Sequence, residues 1–350
     1  MVNFELVNQP KKKFACILWD IDGPIYFQGS TNNRVLKAIV NLARQGIFQR
    51  AITGRDINWI KKHIIPALKK IVAPEEFDSL SKVLSFSGEL GSIKLSLDGR
   101  VSEVSKLVTD HVITDMHVRK ELASLMWQPS QLLSHQSDKP VPENMTIIGD
   151  ANGKFYLAPK EPPEDLMLKQ FIASDTKEVI FTAEVIRNEH QEVPIIDTAG
   201  AVQVIKPKLQ ELGIENRVEI HPTRTAIDIV PVVKGLSLAK NWAAGLALYD
   251  FYLQLVSSGS NITIEELAQR TLAVGDGMQD FLMCFPALVV GESMIGFVGP
   301  ENQYDKDSSE RVFIKPLSDA EIGSEVAAEM IAYVEEHLIE PILAKENSLS

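Results

Sequence analysis

Phe14-Ala15-Cys16-Ile17-Leu18-Trp19-Asp20-Ile21-Asp22-Gly23 is the stretch on which the fold turns. Its apolar run, Phe14 to Trp19, lacks the polar alternation of a half-exposed strand, so it reads as a strand buried on both faces, as in a parallel sheet covered by helices. The run ends in two acids and a glycine. In open α/β sheets the ligand crevice lies beyond the carboxyl ends of the strands, which places both carboxylates facing it. Two crowded carboxylates need a cation, although an Asp-Gly turn closing a strand presents the same residues.

Outward from this segment the pattern alternates. Behind polar Ser30 to Asn33, the residues Val35, Ile39, Leu42 and Ala43 recur at helical spacing, Gly46 stops the helix, and Ile47 to Ile52 forms a second strand. A further helix opens at Gly54 to Asp56 and runs through Trp59, Ile60 and Ile64, after which Val83 to Phe86 gives a third short strand. Strands joined by helical crossovers imply an α/β fold with a doubly wound, mainly parallel sheet. From about Gly88 to His221 Pro, Asn and Gly punctuation becomes frequent, and Met145 to Ile148, Phe155 to Leu157 and Glu178 to Ile186 read as strands of an inserted α+β unit. Asn152-Gly153 is a hairpin signal, and the polar stretch Ser130 to Glu143 reads as a loop. After Pro231 the α/β pattern returns, with a helix from about Leu236 to Leu255, a strand at Leu272 to Val274, a short helix from Gln279 to Cys284 and a strand at Ala287 to Val290. Glu321 to Leu338 reads as a terminal amphipathic helix. The expected organisation is a discontinuous core, residues 1–88 and 226–350, interrupted by an inserted domain at residues 89–225.

Composition narrows the function. A chain of 350 residues suits about two domains, and 45% hydrophobic with 23% charged residues is an ordinary folded composition. Lys plus Arg number 35 against 47 Asp plus Glu, a net charge of −12 that disfavours nucleic acid and anionic membranes as partners. An anionic small substrate then requires one cleft in which the local field is reversed. Cys16 and Cys284 sit in apolar runs, which indicates core residues, no disulfide framework and a reducing, cytoplasmic setting. The basic cluster Lys11 to Lys13 is followed by an apolar run that Asp20 cuts short, unlike a signal peptide, and Leu282 to Val290, interrupted by Pro286, is too short to span a bilayer.

Three further segments carry polar groups to strand ends. Thr53-Gly54-Arg55-Asp56 brings a hydroxyl and free backbone N–H groups to a helix start, which suits a phosphate and equally suits plain N-capping. Lys234-Gly235 precedes the predicted long helix, a position from which an ammonium reaches a shared cleft or is simply solvated. Gly275-Asp276-Gly277-Met278-Gln279-Asp280 puts one acid at a strand end and another in the first turn of the next helix, an oxygen-rich pair of the kind Mg²⁺ prefers. There is no HExxH, GxSxG or GxxxxGK[ST] pattern, which argues against a zincin, a serine α/β-hydrolase and a P-loop NTPase. Trp59, Trp127 and Trp242 read as core or interface residues, and Gly149-Asp150-Ala151-Asn152-Gly153 as a hairpin.

Taken as a set, in the order acid pair, hydroxyl, lysine, acid pair, these segments resemble the four motifs of the haloacid dehalogenase superfamily of phosphohydrolases. The resemblance covers about residues 10–90 and 225–295, and the long gap between Thr53 and Lys234 resembles the insertion of a type C2 cap, as in the Cof-like and sugar-phosphate phosphatase branches. It implies Mg²⁺ as cofactor, held by Asp20, the backbone carbonyl of Asp22, Asp276 and Asp280. It also implies Asp20 as nucleophile, Asp22 as general acid and base, and Thr53 and Lys234 as ligands of the phosphoryl oxygens. Gly54 and Arg55 are expected to bind substrate, and Glu89, His221 and Arg224, flanking the two predicted domain crossings, are candidates to face the leaving group or else hinge and solvated residues. The sequence departs from the family pattern at Pro24, where Thr is common, and at Gly277 and Gln279. The implied activity is a phosphomonoesterase acting on a small phosphorylated metabolite, a sugar phosphate by resemblance. A phosphomutase of the same chemistry and a non-catalytic phospholigand-binding protein are the rivals.

Overall fold

The computed structural model describes residues 4–104, 111–127, 131–132, 141–149, 155–160, 168, 170–174, 177–187, 198–223, 225–318 and 322–342. The chain divides into two compact units, Met1–Val104 together with Leu238–Ser350, and Ser105–Ser237. Strands of the first unit are β1 (Phe4–Leu6), β2 (Cys16–Asp20), the hairpin β3 (Tyr26–Phe27) and β4 (Ser30–Thr31), β5 (Phe48–Ile52), β6 (Leu84–Gly88), β7 (Ile93–Ser96) and β8 (Val101–Val104). The second unit contributes β9 (Gln131–Leu132), β10 (Met145–Gly149), β11 (Phe155–Pro159), β12 (Phe171–Ala173), β13 (Phe181–Val185), β14 (Val218–Pro222), β15 (Ala226–Val233) and β16 (Leu236–Ser237). The first unit resumes with β17 (Thr271–Gly275), β18 (Met294–Phe297) and β19 (Val312–Pro316).

The first unit is built on a sheet in the order β1-β19-β18-β17-β2-β5-β6-β7-β8. Every pair from β19 to β6 is parallel, and the outer strands β1, β7 and β8 are antiparallel. All residues of β2, β5 and β17 are buried, as the unbroken apolar reading of Phe14 to Trp19 requires. From β2 the chain steps to β5 and β6 on one side, while β17, β18 and β19 lie on the other, so the order reverses between β17 and β2. That is the switch point at which open sheets bind ligands. The register pairs Val274 with Trp19 and Asp20 with Ile52, which brings the carboxyl ends of β17, β2 and β5 side by side.

Local chemistry fixes the crossovers. Asn32 caps the helix Asn33–Arg44 by accepting from Arg34 N at 2.8 Å, and the chain leaves it through Gly46 at φ 80°. Asp56 caps Ile57–His63, accepting from the N–H groups of Asn58 (2.8 Å) and Trp59 (3.0 Å). The helices Lys240–Ser257 and Ser324–His337 are apolar on their core sides, with Trp242, Leu248 and Phe251, and Met330 and Ile331, among the buried residues.

The structure departs from sequence expectation in three places. Val233 and Leu236 pair in a hairpin whose turn residues, Lys234 and Gly235, both have positive φ (52° and 79°), so the helix expected from Leu236 begins at Lys240. Two-residue turns of this handedness usually carry Asn-Gly, and Lys-Gly hides the signal. Ala287–Val290 forms no strand: Leu288 lies at φ 67° and is exposed with Val290, and the strand falls on Met294–Phe297. Finally, the first unit extends past residue 88, because β7 and β8 continue its sheet, and the second unit runs to Ser237 rather than to 225.

The second unit is α+β. Antiparallel strands run β12-β13-β15-β14, with β16 added on β15, and a separate sheet runs β10-β11-β9. One face of the larger sheet, with Phe181, Ala183, Ile227 and Ile229, packs with Leu122, Ile205 and Leu209 of the helices Met116–Ala123 and Thr198–Glu211. The hairpin expected at Gly149 to Gly153 has its flanks in antiparallel β10 and β11, while Asp150 to Gly153 and most of the loop expected from Ser130 to Glu143 lie outside the described residues. Among the described residues no helix is long and apolar enough to cross a membrane.

Candidate active site

Four segments of the first unit meet at the switch point. Asp20 is the last residue of β2, Thr53 follows β5, Asp276 follows β17, and Asp280 lies in the short helical turn Met278–Cys284. The lysine that joins them is Lys240, the first residue of its helix. Its Nζ lies 2.8 Å from Asp20 Oδ1 and also bonds Asp280 Oδ1. Lys234, the residue expected from sequence, is an exposed turn residue of the β15–β16 hairpin in the second unit. A signal was present: Lys240 is a lone cation in Leu238-Ala239-Lys240-Asn241-Trp242, a run whose apolar members are buried.

Asp280 is committed to architecture. Its Oδ2 accepts from the backbone N–H groups of Asp276 and Gly277, each at 2.8 Å, so one carboxylate both anchors Lys240 and shapes the loop that presents Asp276. Asp20, Asp276 and Asp280 each offer a carboxylate oxygen within 4.8 Å of the others. Glycines make the crowding possible: Gly23 has φ 93°, and a Cβ there would overlap the Asp276 carboxylate, as one on Gly275 would overlap Asp280.

Charge at this cluster is out of balance. Three carboxylates face one ammonium. Burial, joined by the charge of Asp280, holds the Asp20 carboxyl well above the usual carboxylate range, against the opposing pull of Lys240. The same two causes push Asp276 up to about 7. Burial alone would lower the Lys240 ammonium, yet the charges of Asp20 and Asp280 outweigh it and raise that group. With all three acids ionised the cluster carries two uncompensated negative charges. A hard divalent cation with oxygen ligands supplies what this donor set lacks, so the residues fit Mg²⁺.

Asp22 lies in a different setting. Its two carboxylate oxygens accept from Arg55, with Nε 2.9 Å from each and Nη2 2.8 Å from Oδ1. The Arg55 guanidinium stands over the Trp59 ring, 4.1 Å from its centroid. Arg55, expected to bind substrate, is thus engaged with the second acid of the first motif. Thr53 is buried, and its Oγ1 accepts from Arg55 N at 3.1 Å, which leaves the hydroxyl proton to donate elsewhere. Gly54 links the two without a side chain. Glu89 is buried in a turn where Glu89, Leu90 and Gly91 all have positive φ, and its N–H donates to Arg55 O at 3.0 Å. His221, on β14 of the second unit, has Nε2 3.2 Å from Ser237 Oγ and 3.5 Å from Glu219 Oε2, and Arg224 lies outside the described residues. Cys16 and Cys284 are buried free thiols, each pushed up to about 12 by burial.

No protein-family model and no curated protein matches this sequence. Among solved structures the chain is similar to a haloacid dehalogenase-like hydrolase from Bacteroides thetaiotaomicron, at 14% identity over 92% of this chain and 100% of that one, with a TM-score of 0.48. It is also similar to the sucrose-phosphatase of Synechocystis (12% identity, 92% and 98% covered, TM-score 0.46). A third is the trehalose-6-phosphate phosphatase of Aspergillus fumigatus (14% identity, 93% and 94% covered, TM-score 0.43). The functional reading rests on the residues of the site themselves.

Proposed function

We propose that this protein is a Mg²⁺-dependent phosphomonoesterase of the haloacid dehalogenase type, acting on a small phosphorylated metabolite through an aspartyl-phosphate. The observation that carries this reading is the Asp20–Lys240–Asp280 bridge beside Asp276, at the carboxyl ends of the central parallel strands. The arrangement sets an ammonium against the Asp20 carboxylate at the crevice and leaves two negative charges that a divalent cation would balance.

Asp20 is the nucleophile. Its free carboxylate oxygen attacks phosphorus in line, the bond from phosphorus to the leaving oxygen breaks, and that oxygen takes a proton from Asp22. Water then attacks the acyl phosphate, Asp22 takes the proton of that water, and inorganic phosphate departs as the Asp20 carboxylate is restored. Thr53 directs its hydroxyl proton to a non-bridging oxygen, and Lys240 offsets charge on the nucleophile and on the phosphoryl group. Asp20, Asp276 and the carbonyl of Asp22 would hold Mg²⁺, with Asp280, engaged by Lys240 and the Asp276 and Gly277 N–H groups, orienting the loop that carries Asp276. When bound, the ion supplies charge neutralisation that lets an anionic carboxylate approach an anionic phosphate.

The test is phosphate release from a panel of phosphorylated metabolites, sugar phosphates included, with Mg²⁺ and with chelator, for the wild type and Asp20→Asn. Metal-dependent release that disappears in Asp20→Asn is the expected result. Release that persists in Asp20→Asn overturns the nucleophile, and no release from any compound by a folded, Mg²⁺-binding protein overturns the hydrolase.

A further inference from the structure

Asp22 is held by Arg55 through a two-pronged hydrogen bond, and Arg55 in turn stands on an aromatic cluster of the neighbouring helix. Trp59 is buried on Ile57–His63 and carries the Arg55 guanidinium at 4.1 Å. Its ring is stacked by His63 (centroids 4.8 Å apart, planes at 27°) and met edge-on by Tyr26 (4.8 Å, 83°). Tyr26 belongs to the β3–β4 hairpin that follows the first motif. It returns to the acid through the backbone: Gly23 N donates to Tyr26 O at 2.9 Å, Tyr26 N donates to Ile21 O at 2.8 Å, and Asp22 forms a bridge pair with Tyr26. The contacts close a circuit, Asp22 to Arg55 to Trp59 to Tyr26 and back to Asp22.

From this circuit we infer that Trp59 is a positioning residue for proton transfer: its indole face fixes the Arg55 fork, which aims the carboxyl of Asp22 at the leaving oxygen. The inference rests on the phosphomonoesterase reading above and deepens it. The Asp22 side chain is 43% exposed, and the hydrogen bonds that orient it come from Arg55. A planar guanidinium stacked on an indole has few orientations, and a two-pronged hydrogen bond passes that restriction to the carboxylate. A proton donor a fraction of an ångström out of line loses much of its effect while substrate affinity is unchanged.

Leaving-group dependence separates this role from a structural one. An alkyl phosphate needs its leaving oxygen protonated; p-nitrophenyl phosphate expels a stable phenolate without help. The value of kcat/KM reports the step that forms the acyl phosphate, so it is measured for both substrates in the Mg²⁺-loaded protein. Trp59→Leu is expected to lower kcat/KM for the alkyl ester by about 10–100-fold, a partial loss of the roughly 10²–10⁴ that a general acid contributes. The aryl ester should change by less than about 3-fold, and Trp59→Phe, which keeps an aromatic face, should restore most of the alkyl activity. Arg55→Lys retains charge without the fork and shows the same split, and it carries the test if Trp59→Leu does not fold. Equal losses on both esters, or an unchanged alkyl-to-aryl ratio in a folded Trp59→Leu or Arg55→Lys variant, overturn the inference. So does a wild type that cleaves only the aryl ester, while a wild type that cleaves neither overturns the phosphomonoesterase reading instead.

Discussion

Replacing Lys240 with methionine removes the cation that bridges Asp20 and Asp280 and keeps a side chain of similar length in a buried position. At 2.8 Å and an effective dielectric constant of about 20, the attraction between Lys240 and Asp20 is about 6 kcal/mol, before the loss of hydration on both partners is set against it. Breaking a buried pair by removing one partner typically costs about 3–5 kcal/mol, because the other charge is left uncompensated. Here the loss has a pH signature. The Asp20 carboxyl already sits well above its ordinary range through burial and the charge of Asp280, so at low pH it takes up a proton and the uncompensated charge disappears. Urea unfolding of the metal-free protein should show Lys240→Met less stable by about 3–5 kcal/mol at pH 8 and by a much smaller amount near pH 5. Lys234→Met, altering an exposed turn residue, should stay within about 0.5 kcal/mol of wild type at both. Magnesium should bind Lys240→Met no more weakly than wild type, since the site has gained negative charge, while turnover falls by roughly 10²–10³. A destabilisation below 1 kcal/mol at pH 8, or one equal at the two pH values, would refute the reasoning, as would an effect of equal size in Lys234→Met.

Asp20→Asn should abolish turnover yet leave the metal-free fold at neutral pH as stable as wild type or more so, since burial and Asp280 disfavour the charged carboxylate it replaces; a clear fall in melting temperature would contradict that. The pH dependence of the whole metal-free protein follows from Asp276, whose carboxyl is pushed up to about 7 against about 3.9 in the unfolded chain. A raised folded value means the contribution is fully present below the unfolded value and is lost as pH rises through the folded one. Stability should therefore fall between about pH 4 and pH 8, by an amount on the order of a few kcal/mol, and saturating Mg²⁺ should flatten the profile. Gly23→Ala combines a backbone at φ 93° with a Cβ that overlaps the Asp276 carboxylate, so it should cost about 2–3 kcal/mol and weaken Mg²⁺ binding at least about tenfold by calorimetry; wild-type affinity would show that the carboxylate moves freely.

What was legible in the sequence is what has a local cause. Continuous burial of β2 is written in Phe14 to Trp19, the helix stop in Gly46, and the placement of Asp20 and Asp276 in acids that directly follow apolar strands. Lys240 was missed because Lys234-Gly235 mimicked a helix entry, while the turn there is a hairpin closed by Val233 and Leu236. The Asp22–Arg55–Trp59 circuit was invisible for a different reason. Arg55 at a helix start looks like a phosphate ligand from local pattern alone, and only the parallel pairing of β2 with β5 sets it beside Asp22. The shift of β18 to Met294–Phe297 was hidden by Leu288, Val289 and Val290, which read as a strand but leave Leu288 and Val290 exposed.

The site works against the fold that holds it. Groups with raised carboxyl values favour protonation on folding, so at neutral pH the crowding of Asp20, Asp276 and Asp280 subtracts stability from the metal-free chain. The compensation lies in how those acids are fixed. Asp280 spends both oxygens on partners, two backbone N–H groups and Lys240, and thereby sets the loop that carries Asp276. Asp20 ends a strand with no exposed residue, where a slip in register would move Trp19 off its bond to Gln49 Oε1 as well as the acid off the lysine. Apolar burial on both faces of β2, β5 and β17 therefore does more than stabilise the sheet. It holds like charges at a separation they would not choose in water, and a divalent cation is the kind of ligand that relieves such crowding.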